Sequence, residues 1–293
     1  MNILSKDTKI GANAPIFKQS IAETGVYETM RKLHDLGIHY IENSQMSTDA
    51  DTMKELRRAC DDFDMQLLAV TVNTSPRDTF SGSFMDPSRF FGHRTDNFED
   101  DWDKIIGYMK EFGVTECRTM AAPPGTFSSV QGLKNFAKIT DELGARLADL
   151  GITFHYHPHA SEYARVGGEI AMYILKDYST YLGFELCPIH IQKAGVSVPD
   201  VIRDFSGRGK IMHLTDYKIV VPTDGPAFGR DMREACEIGE GNLNYEYIIK
   251  LANDCGKRYM FYEQGGSRGG KTEFESIEMS FRNMRKWGYG SNM

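Results

Sequence analysis

The sequence predicts an α/β fold: a (β/α)8 barrel of eight parallel strands, in one domain spanning residues 1–293. Three observations predict it. Short β-rich apolar runs alternate eight times with stretches of helical period, glycines stand where helices hand over to strands, and the long irregular loops follow strands rather than helices. A length of 293 residues exceeds the usual single domain, but barrels of this class reach it.

The elements follow in order. A first strand near Ile10 precedes helical period over 26–36, and Leu36-Gly37-Ile38 then ends the helix on a glycine and opens the second strand. The helix over 51–63 leads to a strand near Leu67, and the helix over 98–112 leads through Phe112-Gly113-Val114 to the fourth. The period over 132–150 ends at Leu150-Gly151-Ile152, which starts the fifth strand. Helical segments over 169–176 and 198–205 precede strands near Leu182 and Ile211, and the segment over 245–255 reaches Cys255-Gly256 before the eighth strand near Tyr259. A last helix covers 274–287. Two long stretches lack periodicity: 73–97, which carries Arg77, Phe80, Phe84, Arg89, Phe90, Phe91, His93 and Arg94, and 216–242. Such loops sit at the C-terminal ends of the strands, where barrel enzymes build their sites. The first reads either as a lid over a polar ligand or as a subunit contact. No repeat or linker marks a second domain.

Hydrophobic content of 41% with 26% charged residues is ordinary for a folded globular chain. A net charge of −7 argues against a partner with a phosphate backbone, and so against nucleic acid. Cys60, Cys117, Cys187, Cys236 and Cys255 are odd in number and widely spaced, which points to a reducing compartment rather than a disulfide framework. With neither a signal-like apolar run near the N-terminus nor a stretch of about 18 apolar residues, the expected location is cytoplasmic, away from membranes.

Strands buried in a barrel should be apolar until they reach the catalytic face, so polar strand ends carry information. The fifth strand ends in His155, His157 and His159 with Glu162 beyond, the sixth in Glu185 and Cys187 with His190 beyond, the seventh in His213, Thr215 and Asp216, and the eighth in Glu263 and Gln264. Period-two geometry places His155, His157 and His159 on one face, and Glu185 with Cys187 on another. Imidazoles and carboxylates converging from adjacent strands suit a divalent metal that grips neighbouring oxygens of a sugar. A lone histidine is more often a core residue, but three within five positions, backed by His213 and Glu263, favour a site. Glu42 and Asn43 end the second strand and Arg118 the fourth; each is expected to bind substrate hydroxyls, or else to be half-buried in a salt bridge. Lys218 and Arg230 could meet a phosphate or carboxylate, or simply be solvated. The run 264–270 reads as a glycine-rich turn or a phosphate loop, and Asp254 and Arg258 as surface residues.

Several motifs in sequence order resemble the sugar phosphate isomerase/epimerase family of xylose isomerase-like TIM barrels. Tyr156-His157-Pro158-His159-x-x-Glu162-Tyr163 is similar to the family's Y-H-N-H-x-x-E-F, and Gln192-Lys193-Ala194-Gly195 resembles its turn after strand six. Met212-His213-Leu214-Thr215-Asp216, Ile238-Gly239-Glu240-Gly241 and Tyr262-Glu263-Gln264 resemble later segments. The resemblance is strongest over 151–264. It implies one divalent cation (Mn, Mg, Co or Zn) held by His157, with Glu162 as the competing position, Cys187, His213 and Glu263. Cys187 is a departure, because the family carries aspartate there. A cysteine ligand would suit zinc and disfavour manganese or magnesium; alternatively Glu185, one step deeper, substitutes, or Cys187 is merely a small buried residue.

The reaction implied is proton transfer beside the carbonyl of a small sugar or keto-sugar. Glu263 serves as metal ligand and acid/base group and His157 or His159 acts from the opposite side, while Glu42, Arg118, Glu162, His190 and Lys218 bind substrate. Isomerisation, epimerisation and elimination share this opening step, so a lyase or dehydratase acting on an oxidised glycoside or inosose is the enzymatic alternative. The other alternative is a metal-less barrel that binds sugar or serves as a subunit. The expected partner is a small carbohydrate, with homo-oligomer or hetero-subunit assembly left open.

Overall fold

Residues 4–74, 96–120, 122–226, 228–229, 231–264 and 269–293 are described by the computed structural model. The eight barrel strands are Lys9–Asn13, Tyr40–Asn43, Gln66–Thr71, Glu116–Thr119, Thr153–Tyr156, Leu182–Phe184, Ile211–Leu214 and Tyr259–Tyr262, each beginning within two residues of its expected start. All seven sheet pairings are parallel, and the strands run six-five-four-three-two-one-eight-seven around the sheet. The first and eighth strands pair in the register Ile10↔Met260. The seam between strands six and seven carries a single parallel bridge, Leu186↔Met212, with the His213 N–H donating to the Leu186 carbonyl at 2.9 Å, so the barrel is nearly closed.

Helices cover Lys18–Asp35, Ala50–Phe63, Trp102–Phe112, Val130–Ala148, Ala171–Asp177, Val198–Asp204, Tyr245–Asp254 and Glu273–Lys286. Side-chain caps set several starts: Asp49, Ser129 and Thr272 each accept a backbone N–H from the first turn. The junction glycines Gly37, Gly113, Gly151 and Gly256 have φ between 69° and 93°, the left-handed C-cap that the sequence pattern calls for.

Four features depart from the sequence reading. The first helix starts at Lys18 rather than near 26, because Gly25 (φ 83°) kinks it and interrupts its apolar period. The start expected at 169 is instead a hairpin, Arg165–Val166 with Glu169–Ile170, whose two linking residues Gly167 and Gly168 take φ of 62° and 95°. The stretch after strand seven holds an antiparallel ribbon, Asp216–Ile219 with Arg233–Cys236, and a six-residue helix, Pro188–Lys193, follows strand six.

Alternation along the strands sorts side chains between barrel interior and helical layer. Phe154 and Tyr156 point outward, Phe154 against Phe98 (ring centroids 6.2 Å apart) and Tyr156 against Phe136 (5.5 Å). Ala69, Ile211 and Phe261 form a separate apolar cluster. Buried His155 lies deep in the barrel, its Nδ1 3.1 Å from the Cys117 carbonyl and its Nε2 3.3 Å from the Lys210 N–H. No helix among the described residues is long and apolar enough to cross a membrane. The ends of the 73–97 loop are clamped, with the Asn73 N–H donating to Asp96 (2.9 Å) and the Phe98 N–H to Asn73 (3.1 Å). Its named arginines, phenylalanines and histidine lie outside the described residues, as do Arg230 and residues 265–268 of the glycine-rich run.

Candidate active site

The strand ladder continues one residue past several strands, and this extension sets the positions of the polar side chains. The His157 N–H donates to Thr119 (2.8 Å), that of Glu185 to Tyr156 (3.0 Å) and that of Glu263 to Leu214 (2.9 Å). Together with Asn13, Glu42, Arg118 and His213 these residues form a polar layer at the C-terminal end of the barrel. Arg118 is its hub: its Nε lies 2.6 Å from Glu42 and 2.7 Å from Glu185, with both carboxylates fully buried and the guanidinium 2% exposed. His213 Nε2 is 2.8 Å from Glu42 and 3.3 Å from Glu185, and its Nδ1 is 2.8 Å from Glu263. Asn13 donates to Glu263 at 3.3 Å and accepts from Ser44 at 2.7 Å. His157 Nδ1 lies 3.1 Å from Glu185.

Burial and charge oppose each other across this layer. Burial would raise the Glu42 carboxyl, but Arg118 and His213 outweigh it and hold its pKa below the usual range. Glu263 is likewise held down, to about 2, by His213 against its burial. Glu185 goes the other way: burial pushes it up to about 7 despite Arg118. Burial disfavours the imidazolium of His213, yet Glu185, Glu263 and Glu42 raise its pKa well above the ordinary value. His157 has no such surplus of carboxylates, and burial with His213 and Arg118 nearby keeps it neutral.

Above this layer opens a cavity of about 540 Å³, lined among others by Arg118, His157, His159, His190 and Glu263. The rings of His157 and His159 are 5.1 Å apart, and those of His159 and His190 4.7 Å. His213 stands between His157 (rings 4.5 Å apart) and Glu263. Thus Glu263, His157, His159, His190 and Arg118 are brought together as the sequence suggests. Other expected site residues are placed elsewhere. Glu42 lies beneath the cavity, fully buried, in the salt-bridge arrangement that was the alternative reading for it. The Glu162 carboxylate is taken up by the Tyr156 hydroxyl (3.0 Å), the His159 N–H (3.2 Å) and the Ser161 hydroxyl (2.5 Å). Lys218 pairs loosely with Glu234 across the ribbon (3.7 Å) and does not line the cavity. His155 shares the inward face with His157 but is buried below it.

Sequence reasoning missed Asn13, Lys193, Asp231 and Arg233. Asn13 was detectable as a polar residue ending an otherwise apolar strand, whereas Arg233 on the ribbon and Asp231 just before it reach the cavity wall from a stretch that carried no periodic signal. Asp231 accepts three hydrogen bonds from Arg233, two from the guanidinium (2.8 and 2.9 Å) and one from the backbone N–H (3.0 Å).

The donor set fits the divalent cation that the resemblance implies. Ligand atoms of Cys187, His213 and Glu263 lie within 4.8 Å of one another, as do those of His157, Glu185 and His213, whereas Glu162 joins neither group. His213 Nδ1 is buried without a hydrogen bond although Glu263 is 2.8 Å away, while its Nε2 meets Glu42. A ring nitrogen free of hydrogen bonds beside a carboxylate, with the opposite nitrogen against a second carboxylate, is how metal-binding histidines are oriented.

The chain matches the model of the xylose isomerase-like TIM barrel family over residues 30–286. No curated protein matches it in sequence. Among solved structures, it is similar to a sugar phosphate isomerase/epimerase from Parabacteroides distasonis (TM-score 0.73, 17% identity, 95% of this chain and 98% of the other). It is also similar to a D-allulose 3-epimerase from Methylomonas sp. (TM-score 0.68, 12% identity, 97% and 99%). A third is a xylose isomerase-like TIM barrel protein from Mycobacterium smegmatis in complex with magnesium (TM-score 0.66, 16% identity, 98% of each chain). At these identities the likeness establishes the fold, and the family match covers most of the sequence: the chain belongs to the xylose isomerase-like TIM barrel family.

Proposed function

We propose that this barrel, acting as one domain, isomerises or epimerises a small sugar or keto-sugar by moving a proton on the carbon beside a carbonyl. The observation that carries the reading is the pairing of Glu263 and His157 on the wall of one cavity with His213 between them. Each has a form able to take a proton: an ionised carboxylate at Glu263 and a neutral imidazole at His157.

His213, Glu263 and Cys187 would hold a divalent cation, which supplies Lewis-acid polarisation of the sugar's adjacent oxygens when bound. Glu263 removes or returns the proton on one side of the carbon and His157 on the other, with His159 next to it at the cavity wall. Asn13 orients Glu263, and Glu42 orients His213 through Nε2. The Arg118 guanidinium, which reaches the cavity floor, keeps the carboxylates beneath it fixed and is placed to donate to a substrate hydroxyl. Similarity to proteins that are a sugar phosphate isomerase/epimerase and a D-allulose 3-epimerase supports this reaction class. Elimination of a group β to the carbonyl begins with the same proton removal and would be recognised by a product lighter by the leaving group.

The test is Glu263→Gln, which keeps size and removes the base. With a panel of free ketohexoses and ketopentoses and metal-loaded protein, turnover should fall by about 10²–10⁴-fold, the usual share of a positioned acid/base group. Near-normal turnover in this variant would remove Glu263 from the chemistry.

A further inference from the structure

We propose that the sixth strand's donor to the cation is the thiolate of Cys187, which would make the site thiophilic, favouring zinc or cobalt(II) over magnesium or manganese; the inference rests on the metal-assisted reading above. Two residues on this strand could serve, Glu185 and Cys187, since alternation turns both into the barrel. The two differ in what already surrounds them. Glu185 has ion contacts on both carboxylate oxygens, Oε2 with Arg118 (2.7 Å) and His157 (3.1 Å) and Oε1 with His213 (3.3 Å). Turning it toward a cation would strip the buried guanidinium of one of its two carboxylates and leave part of that charge uncompensated. Cys187 has no ion contact to give up: its Sγ lies 3.9 Å from the Thr215 hydroxyl and otherwise meets the ring of His213, the residue with which it would share the cation.

Cys187 is also in the right place. It lies one step nearer the mouth than Glu185, and its sulfur groups with the His213 nitrogen and the Glu263 oxygen within 4.8 Å. It is 1% exposed and caps the N-terminus of the helix Pro188–Lys193, its carbonyl accepting the N–H groups of His190 (3.0 Å) and Ile191 (3.2 Å), which fixes its backbone. The buried Nδ1 of His213 makes no well-aligned hydrogen bond, although the Glu263 oxygen is 2.8 Å from it, and a cation set between the two would use both atoms. One sulfur, one imidazole nitrogen and one carboxylate oxygen, the last on the cavity wall, is a mixed soft and borderline donor set. Magnesium holds hard oxygen ligands and gains little from a thiolate. The selectivity should therefore differ from that of an all-oxygen-and-nitrogen site, and the difference should reside in this one side chain. Of the five cysteines, all described, only Cys187 falls in a converging donor set.

The experiment uses the full chain, freed of metal by chelator and titrated with cobalt(II). Wild-type protein should show both ligand-field bands in the visible and a sulfur-to-cobalt charge-transfer band in the near ultraviolet. Cys187→Asp should keep the ligand-field bands and lose the charge-transfer band, and Cys187→Ser serves if the aspartate variant does not fold by circular dichroism. In competition titrations, the preference for zinc over magnesium should drop in Cys187→Asp by more than the roughly 10–100-fold that loss of an outer-shell partner costs. Ligand-field bands without a charge-transfer band in the wild type would overturn the thiolate while leaving the metal-assisted reading intact. Absence of any bound cobalt would overturn both.

Discussion

Arg118→Met probes the most tightly built part of the site. The substitution keeps an unbranched side chain of similar reach and removes the guanidinium from between two fully buried carboxylates that it touches at 2.6 and 2.7 Å. Deleting one partner of a buried ion pair costs about 3–5 kcal/mol, because the remaining charge has neither water nor a counterion. Two features bring the expected loss to the lower end, about 3 kcal/mol: His213 still neutralises Glu42, at 2.8 Å, and Glu185, with a pKa of about 7, can take up a proton. The assay is urea unfolding of wild type, Arg118→Met, Glu42→Gln and the double variant, read by circular dichroism. Glu42→Gln removes the carboxylate that needs the guanidinium, so the double variant should lose less than the sum of the singles, with a coupling of about 1–3 kcal/mol. A single-variant loss below about 1 kcal/mol, the range of surface pairs, or additivity within about 0.5 kcal/mol, would refute the assignment of Arg118 as the electrostatic centre of the layer.

The remaining predictions address the surroundings of the site. Hydrogen bonds from His159 and Ser161 outweigh burial and hold Glu162 down to about 2 from an ordinary 4.5, so its stabilisation is present above 4.5 and lost as the pH falls from there through about 2. Glu162→Gln should cost up to about 3 kcal/mol at neutral pH and flatten the acid limb of the stability curve in that window; an unchanged acid limb would contradict the assignment. Gly183→Ala would place a Cβ 2.6 Å from the His155 ring, and a loss of about 1–3 kcal/mol in denaturant melts is expected; neutral behaviour would mean that the ring moves freely. Lys218→Ala should leave turnover at the wild-type level, because Lys218 pairs with Glu234 away from the cavity. A clear rise in KM would return Lys218 to the substrate.

The parts of the fold that were legible in the sequence are those governed by local rules. Junction glycines and apolar runs placed all eight strands within two residues, because a C-cap and a buried strand each leave a mark in a few consecutive positions. The ribbon after strand seven left no such mark: its pairing of Tyr217 with Ala235 joins residues 18 apart through a segment without apolar alternation. The candidate site residues followed the same division. His157, His213 and Glu263 were visible as polar ends of buried strands, but the choice between Glu185 and Cys187 depends on where Arg118 stands, which only the folded barrel decides. Glu162 was a candidate through motif similarity, and its place three residues after His159 lets its carboxylate cap the local turn, a partner choice that the motif alone does not reveal.

The central claim is that a proton moves on the carbon beside a sugar carbonyl, between Glu263 and the histidines facing it. The most direct measurement is incorporation of solvent deuterium, followed by NMR and mass spectrometry on free ketohexoses and ketopentoses incubated in D2O with cobalt-loaded protein. One deuteron should enter next to the carbonyl of the sugar that is turned over, at a rate that falls together with turnover in Glu263→Gln. Turnover without deuterium entering that position, or exchange undiminished in the variant, would contradict the account.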